Sequence, residues 1–266
     1  MCETVPGYGK DSVMIAISLI ERQSIPGVAA LVDRDWSKPW DSMSRLAVRT
    51  DYYDIDATIF FTGDVSGRMV AAFCDRQKVK DFLGAHEFTS PADAAAKLAL
   101  PLGVLRKLSH DNGWGLRVAG TPIKDIAHES GGAVDVSRLF DVCLKRSGKA
   151  RVGQQDRLEI TDSIEAVISS LAKPSEFCCG HDLNSALAYL MQAHWGARIS
   201  KDMLERAMRG GFSCIELAST QFRSDIHSVL GVPEEGLFNC DIPRRLHSGV
   251  PPARESVESV DAREVS

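Results

Sequence analysis

The sequence predicts an α/β domain: a small parallel sheet flanked by helices, with a mostly helical C-terminal part. Three observations carry that expectation. Residues 27–32 form an apolar run of strand length, residues 13–22 before it have helical periodicity, and residues 45–50 form a second short strand-like run ahead of another apolar helix. Helix followed by strand is half of a βαβ unit, and neighbouring strands joined by such crossovers run parallel.

In chain order, Met1 to Gly9 read as the end of a strand-to-helix loop, where Gly7 and Gly9 permit a tight loop with exposed backbone. A glycine loop before a helix can cradle phosphate on the helix N-terminus, and Lys10 stands where it would contact a phosphate oxygen. The Gly-x-Gly-Lys spacing matches neither nucleotide-binding fingerprint in full, and a solvated lysine at a helix start is the plainer reading. Ile25-Pro26-Gly27 make a turn into the first strand, which reads as buried and ends in Asp33-Arg34-Asp35. Strand side chains alternate, so Asp33 and Asp35 project to one side and Arg34 to the other. Two adjacent carboxylates repel or share a cation; Mg²⁺ suits them, being held by one or two carboxylates plus water and phosphate oxygens. The plain alternative is a turn or a helix cap.

After the second strand, Asp51-Tyr52-Tyr53-Asp54-Ile55-Asp56 lead into a helix with Asp51 or Asp54 as its N-cap and Asp56 one step inside. Residues 64–84 read as one helix ending at Gly84. Ser90 with Pro91 opens another helix that runs to about His110, and residues 114–120 have strand character between glycines. Helices are expected at 134–146, 163–172, 183–194, 201–208 and 213–230. From about residue 232 the chain is rich in Pro, Glu, Arg and Ser and reads as disordered. The implied division is 1–63 for the core with the acidic site, 64–231 for a helical insertion with the rest of the α/β domain, and 232–266 for the tail.

Composition narrows the function classes. The 266 residues, 44% hydrophobic and 25% charged, suit one large globular domain or one with a helical appendage. A net charge of −5 argues against nucleic-acid binding through a broadly basic surface, although a metal can still grip phosphate locally. The short basic run around Lys145, Arg146, Lys149 and Arg151 reads as a solvated loop. Seven cysteines without a secretory signal point to a reduced, cytoplasmic chain. Cys178, Cys179 and His181 lack the second spaced pair of a structural zinc site. The longest apolar stretches are too short to span a bilayer, so no membrane partner is expected. His86, His110, His128, His194, Trp114 and Trp195 read as packing or surface residues.

Five pieces in one order resemble a known family: Gly7-Tyr8-Gly9-Lys10-Asp11 before a helix, Val32-Asp33-Arg34-Asp35 after a strand, Asp51-Tyr52-Tyr53-Asp54-Ile55-Asp56, Leu102-Gly103-Val104-Leu105-Arg106, and Gly180-His181-Asp182. The order is similar to that of Toprim-like proteins encoded beside ABC-type ATPases in bacterial phage-defence operons. The PARIS effector nuclease belongs to that group, and the OLD-family nucleases share its catalytic fold. The likeness covers roughly residues 5–230.

The resemblance implies a Toprim-like Rossmannoid sheet, a catalytic Glu after the first strand, and an Asp-x-Asp after a later one, together binding Mg²⁺ (with Mn²⁺ as an alternative) for phosphodiester chemistry. Asp33 and Asp35 match the Asp-x-Asp, Asp56 stands where the family usually has Glu, and His181 with Asp182 match a later motif as accessory residues. Where the family places its glutamate, directly before the glycine, this chain has Pro6; Glu3 is the nearby acid. The expectation is therefore a Mg²⁺-dependent nuclease with Asp33 and Asp35 catalytic and metal-binding, Asp56 assisting the metal, Glu3 as base, and Gly7, Gly9 and Lys10 on the phosphate. It would act on DNA or structured RNA such as tRNA, under an ABC-type ATPase partner, with homo-oligomerisation left open. The alternatives are a catalytically degenerate module that docks on the ATPase and, with less support, a phosphotransfer or phosphatase enzyme.

Overall fold

The structure, a computed structural model, describes residues 5, 7, 9–36, 44–148, 156–170 and 173–231. Helix α1 spans Lys10–Arg22, starting at Gly9, whose φ of 115° suits glycine. Strand β1, Ala30–Val32, pairs in parallel with β2, Ala47–Arg49, in the register Ala30 to Ala47 and Val32 to Arg49. Thr50 N–H donates to the Val32 carbonyl at 3.0 Å and closes the ladder, so the carboxyl ends of both strands stop side by side. Among the described residues these are the two named strands, and the molecule is an α/β domain made mostly of helices.

The first strand differs from its sequence reading. Ala30 and Val32 are buried, but Leu31 is 39% exposed. A strand buried on both faces needs cover on both, and here α1 packs against β1 while the last described helix packs against β2.

The acidic segment after β2 starts α2, Ile55–Phe61, with Asp54 at its N-cap. The single helix expected over 64–84 is two, α3 (Val65–Phe73) and α4 (Arg76–Ala85). Asp75 causes the break: its carboxylate caps the amides of Gln77 and Lys78 at 2.9 and 3.1 Å, and its own N–H donates to the Trp195 carbonyl. Helix α5, Pro91–Asp111, follows with Ser90 as cap, matching the sequence reading.

Residues 114–120 form no strand. Trp114 N–H turns back to the Ser109 carbonyl and Leu116 N–H to the Ser109 hydroxyl, while Gly113, Gly115 and Gly120 have φ of 66°, 71° and 69°. Positive φ curls the chain where apolar alternation alone suggests extension.

The remaining helices are α6 (Val136–Ser147), α7 (Asp156–Ser169), α8 (Pro174–Phe177), α9 (Gly180–Ala193), α10 (Lys201–Gly211), α11 (Cys214–Ala218) and α12 (Gln221–Leu230). Helix α7 starts earlier than expected. The helix expected over 213–230 is interrupted at Ser219 and Thr220, where α11 ends and α12 begins. The core is helical: alanines and leucines of α5, including Ala95, Leu98, Leu102 and Leu105, pack on Leu183, Leu187 and Leu190 of α9, with Phe60, Phe140 and Trp195 fully buried around them. No helix among the described residues is long and apolar enough to cross a membrane. The tail, residues 232–266, lies outside the described residues.

Candidate functional site

The site is assembled where β1 and β2 end. Beyond the ladder, Arg34 N–H donates to the Thr50 hydroxyl at 3.0 Å and Asp35 N–H to the Tyr53 carbonyl at 3.0 Å, so the two post-strand segments stay joined. The Arg34 guanidinium reaches the Asp51 carbonyl at 2.7 Å, away from its two acidic neighbours. Asp33 and Asp35 are thereby presented at one edge with the acids of the second segment.

Lys10 reaches that edge from the first turn of α1. Its ammonium donates to Asp35 Oδ1 at 2.9 Å and to the Asp33 carbonyl at 3.3 Å. The chain itself thus supplies a cation to the Asp35 carboxylate, beside Asp33. Partial burial pushes the Asp33 carboxyl up, the charges of Asp35 and Asp56 add to this, and Lys10 and an N–H from Ile55 pull it back.

The second acidic segment divides its labour. Asp51 accepts from the amides of Gln221 and Phe222 at 2.8 and 2.7 Å, so it caps α12 from across the molecule, not α2. Asp54 caps α2 through Ala57 N–H at 2.7 Å and accepts Gly180 N–H, the first amide of α9, on both oxygens at 3.1 Å. Burial pushes its pKa up to about 6 despite those amides, with Asp33 and Asp56 adding repulsion. Asp56 is spanned by the Arg209 fork, Nε at 2.7 Å and Nη2 at 2.5 Å. Gly180 lies so close that a Cβ there would come within 2.2 Å of the Asp56 Cβ.

Next to Gly180, Asp182 is buried and ion-paired with Arg106 of α5. Burial alone would raise the Asp182 pKa; hydrogen bonds from His181 and Arg106 and the Arg106 charge outweigh it and hold the carboxylate ionised. Arg106 Nη1 is buried without a hydrogen-bond partner among the described residues. His181 is half-exposed, its Nδ1 3.6 Å from Asp182 Oδ1, and its Nε2 faces the Lys201 ammonium. Tyr53, pushed up to about 12 chiefly by burial, stacks edge-on against Trp36 at 4.9 Å.

Asp33, Asp35 and Lys10 thus meet at one point. Asp56 lies within electrostatic reach of Asp33 but faces Arg209, and His181 and Asp182 adjoin the second acidic segment. Gly9 opens α1, and a Cβ on Gly7 would come 2.0 Å from a Val13 methyl, so Gly7 serves close packing on that helix. Glu3 lies outside the described residues.

Sequence reasoning assigned no role to Arg209, Lys201 or Arg106. Their partners stand 153, 20 and 76 residues away, and the available signal was the eight-residue spacing of Lys201 and Arg209 on one face of a helix.

No group of three or more His, Cys, Asp and Glu among the described residues is placed to hold a metal. The Lys10 ammonium holds one carboxylate, that of Asp35, and the Asp33 carbonyl oxygen; a largely hydrated Mg²⁺, which needs only one or two carboxylates, would take Asp35 and Asp33 by displacing it. No protein-family model, curated protein or solved structure matches the chain.

Proposed function

We propose that the protein is a Mg²⁺-dependent hydrolase of phosphodiester bonds in DNA or structured RNA such as tRNA, Toprim-like in its site and restrained by an ABC-type ATPase partner. One observation carries this reading: Asp33, Asp35 and a cationic group converge where two parallel strands end, the place where open α/β sheets bind their ligands.

Asp33 and Asp35 would hold the ion, which when bound polarises the scissile phosphate and acidifies an attacking water. Lys10, displaced from Asp35, is in reach to pair with a phosphate oxygen. Asp56 stands close enough to assist through water once Arg209 turns to an anionic substrate, and an arginine fork that spans a carboxylate also matches a phosphate.

The test is cleavage of plasmid DNA and bulk tRNA with Mg²⁺ or Mn²⁺, with the ATPase partner supplied, beside Mn²⁺ binding followed by electron paramagnetic resonance. The expected outcome is metal-dependent cleavage that falls by about 100-fold or more, roughly 2.7 kcal/mol of barrier, in Asp33→Ala/Asp35→Ala, with Mn²⁺ binding lost in parallel.

A second reading, a catalytically degenerate module that docks on the ATPase, is favoured by a different observation. Lys10 and Arg209 already neutralise Asp35 and Asp56. Partner binding without Mn²⁺ binding or cleavage of either substrate would decide for it.

A further inference from the structure

We propose that the outer face of α1 is a dimer interface, on which a second copy of this chain lays its own α1 antiparallel about a two-fold axis level with Ile17.

A surface helix ordinarily buries one stripe and turns polar residues to water on the other. Helix α1 buries Ile17, with Val13, Met14 and Ile20 half-buried around it. Its opposite face is apolar as well. Ile15 is 65% and Leu19 51% exposed, and Ala16 beside them is exposed too. Four residues apart, Ile15 and Leu19 lie one above the other on a single face. Scattered exposed apolar residues are ordinary, whereas neighbours along one helix face mark a surface that takes a partner.

The charges at the ends of that stripe select the partner. Asp11 stands one turn before Ile15 and Arg22 just under a turn after Leu19, so the four residues fall in a row. Asp11 and Arg22 are both exposed, and neither has an ion pair among the described residues. A row that runs acid, apolar, apolar, base is its own complement when a copy is turned end for end. Asp11 then meets Arg22 of the copy, Ile15 meets Leu19, and each contact occurs twice. Both pairings share one centre, because Ile17 lies midway between Ile15 and Leu19 and within half a residue of the midpoint of Asp11 and Arg22. A two-fold interface demands this: one patch used by both subunits, residue for residue in exchange. A uniformly acidic or basic partner would satisfy one end of the row and oppose the other. The dipole of α1 also favours an acid at its start and a base at its end, but it accounts for neither Ile15 nor Leu19 in water.

The 13 residues of α1 span roughly 20 Å. A single helix pair of that length is a small interface, so the dimer belongs to the weak, exchanging class. Lys10 lies two turns from Ile17 and shares its inner face, where the ammonium holds Asp35. Pairing through the outer face leaves the acidic edge open in both copies, and the dimer forms whatever chemistry that edge performs.

The test is sedimentation velocity of the full chain from about 1 µM upward, where a concentration-dependent shift from monomer to dimer is expected. Ile15→Glu and Leu19→Glu change exposed positions and should each remove the dimer, with a melting temperature equal to that of the wild type at concentrations where both are monomeric. Asp11→Lys or Arg22→Glu alone should weaken association by about 10-fold or more, since like charges then meet at both ends. Mixing those two variants, or combining both changes in one chain, should recover the wild-type dimer. Asp33→Ala/Asp35→Ala should dimerise as the wild type does, which separates this interface from the hydrolase reading. A wild type that stays monomeric at the highest concentration reached overturns the proposal. So does a dimer that survives Ile15→Glu and Leu19→Glu, or one lost in the charge variants and not recovered on mixing.

Discussion

Asp54 carries more than a cap. Its carboxylate closes the first turn of α2 and the first turn of α9 at once, yet burial pushes its pKa up to about 6 from 3.8. The folded state therefore binds the proton more tightly than the unfolded chain, and stability from this group is fully present below about pH 4 and lost as pH rises through about 6. A shift of that size corresponds to up to about 3 kcal/mol. Urea denaturation between pH 4 and 7 should show that slope, and Asp54→Asn should flatten it; an equal slope in the variant would assign it to another group. At this scale the sequence was partly legible. Asp33 and Asp35 could be placed together because they stand two residues apart just past the end of β1, and Asp54 could be named as a cap because capping is local. Arg209 could not be paired with Asp56, since nothing within a turn or two of either residue encodes the other.

Two glycines in helices separate the demands of packing from those of backbone entropy. Gly180 begins α9 against α2, with space for no Cβ: the added carbon would sit 2.2 Å from the Asp56 Cβ and 2.6 Å from the Ala57 nitrogen. Gly84, near the end of α4, has nothing within 4 Å of the same position. Gly180→Ala should lose about 1–3 kcal/mol as α9 is pushed off α2, whereas Gly84→Ala should gain about 0.5–1 kcal/mol by narrowing the unfolded ensemble. Equilibrium unfolding of both variants reads the two signs, and equal effects would refute the distinction. Helix identity was legible where caps are local, as at Ser90 with Pro91. The reading failed at Asp75 and at Gly113 to Gly120 because a cap inside a helix-like run and a train of positive-φ glycines both override periodicity.

For the molecule as a whole, a helical core carries a small sheet at its side. The strands are three residues each and β1 turns Leu31 to solvent, whereas α5 and α9 bury most of their facing side chains. Hydrogen exchange should find the amides of Val48 and Thr50 opening well before those in the middle of α5 and α9; protection of the sheet equal to that of the helices would contradict this hierarchy. The sequence announced an α/β class because helix preceded strand, but the small extent of the sheet was not legible. Strand number depends on which runs find neighbours, and residues 114–120 had the composition of a strand without the backbone to be one.

The contacts of the acidic edge also have an order in time. Asp54 waits for Gly180, Asp56 for Arg209, and Asp51 for Gln221 and Phe222, so residues made early are held by residues made late. A polypeptide still emerging from the ribosome owns its aspartates long before it owns the groups that set them in place. The second acidic segment is therefore set in place only once the chain has been made through Phe222, while Lys10 can meet Asp35 from the start.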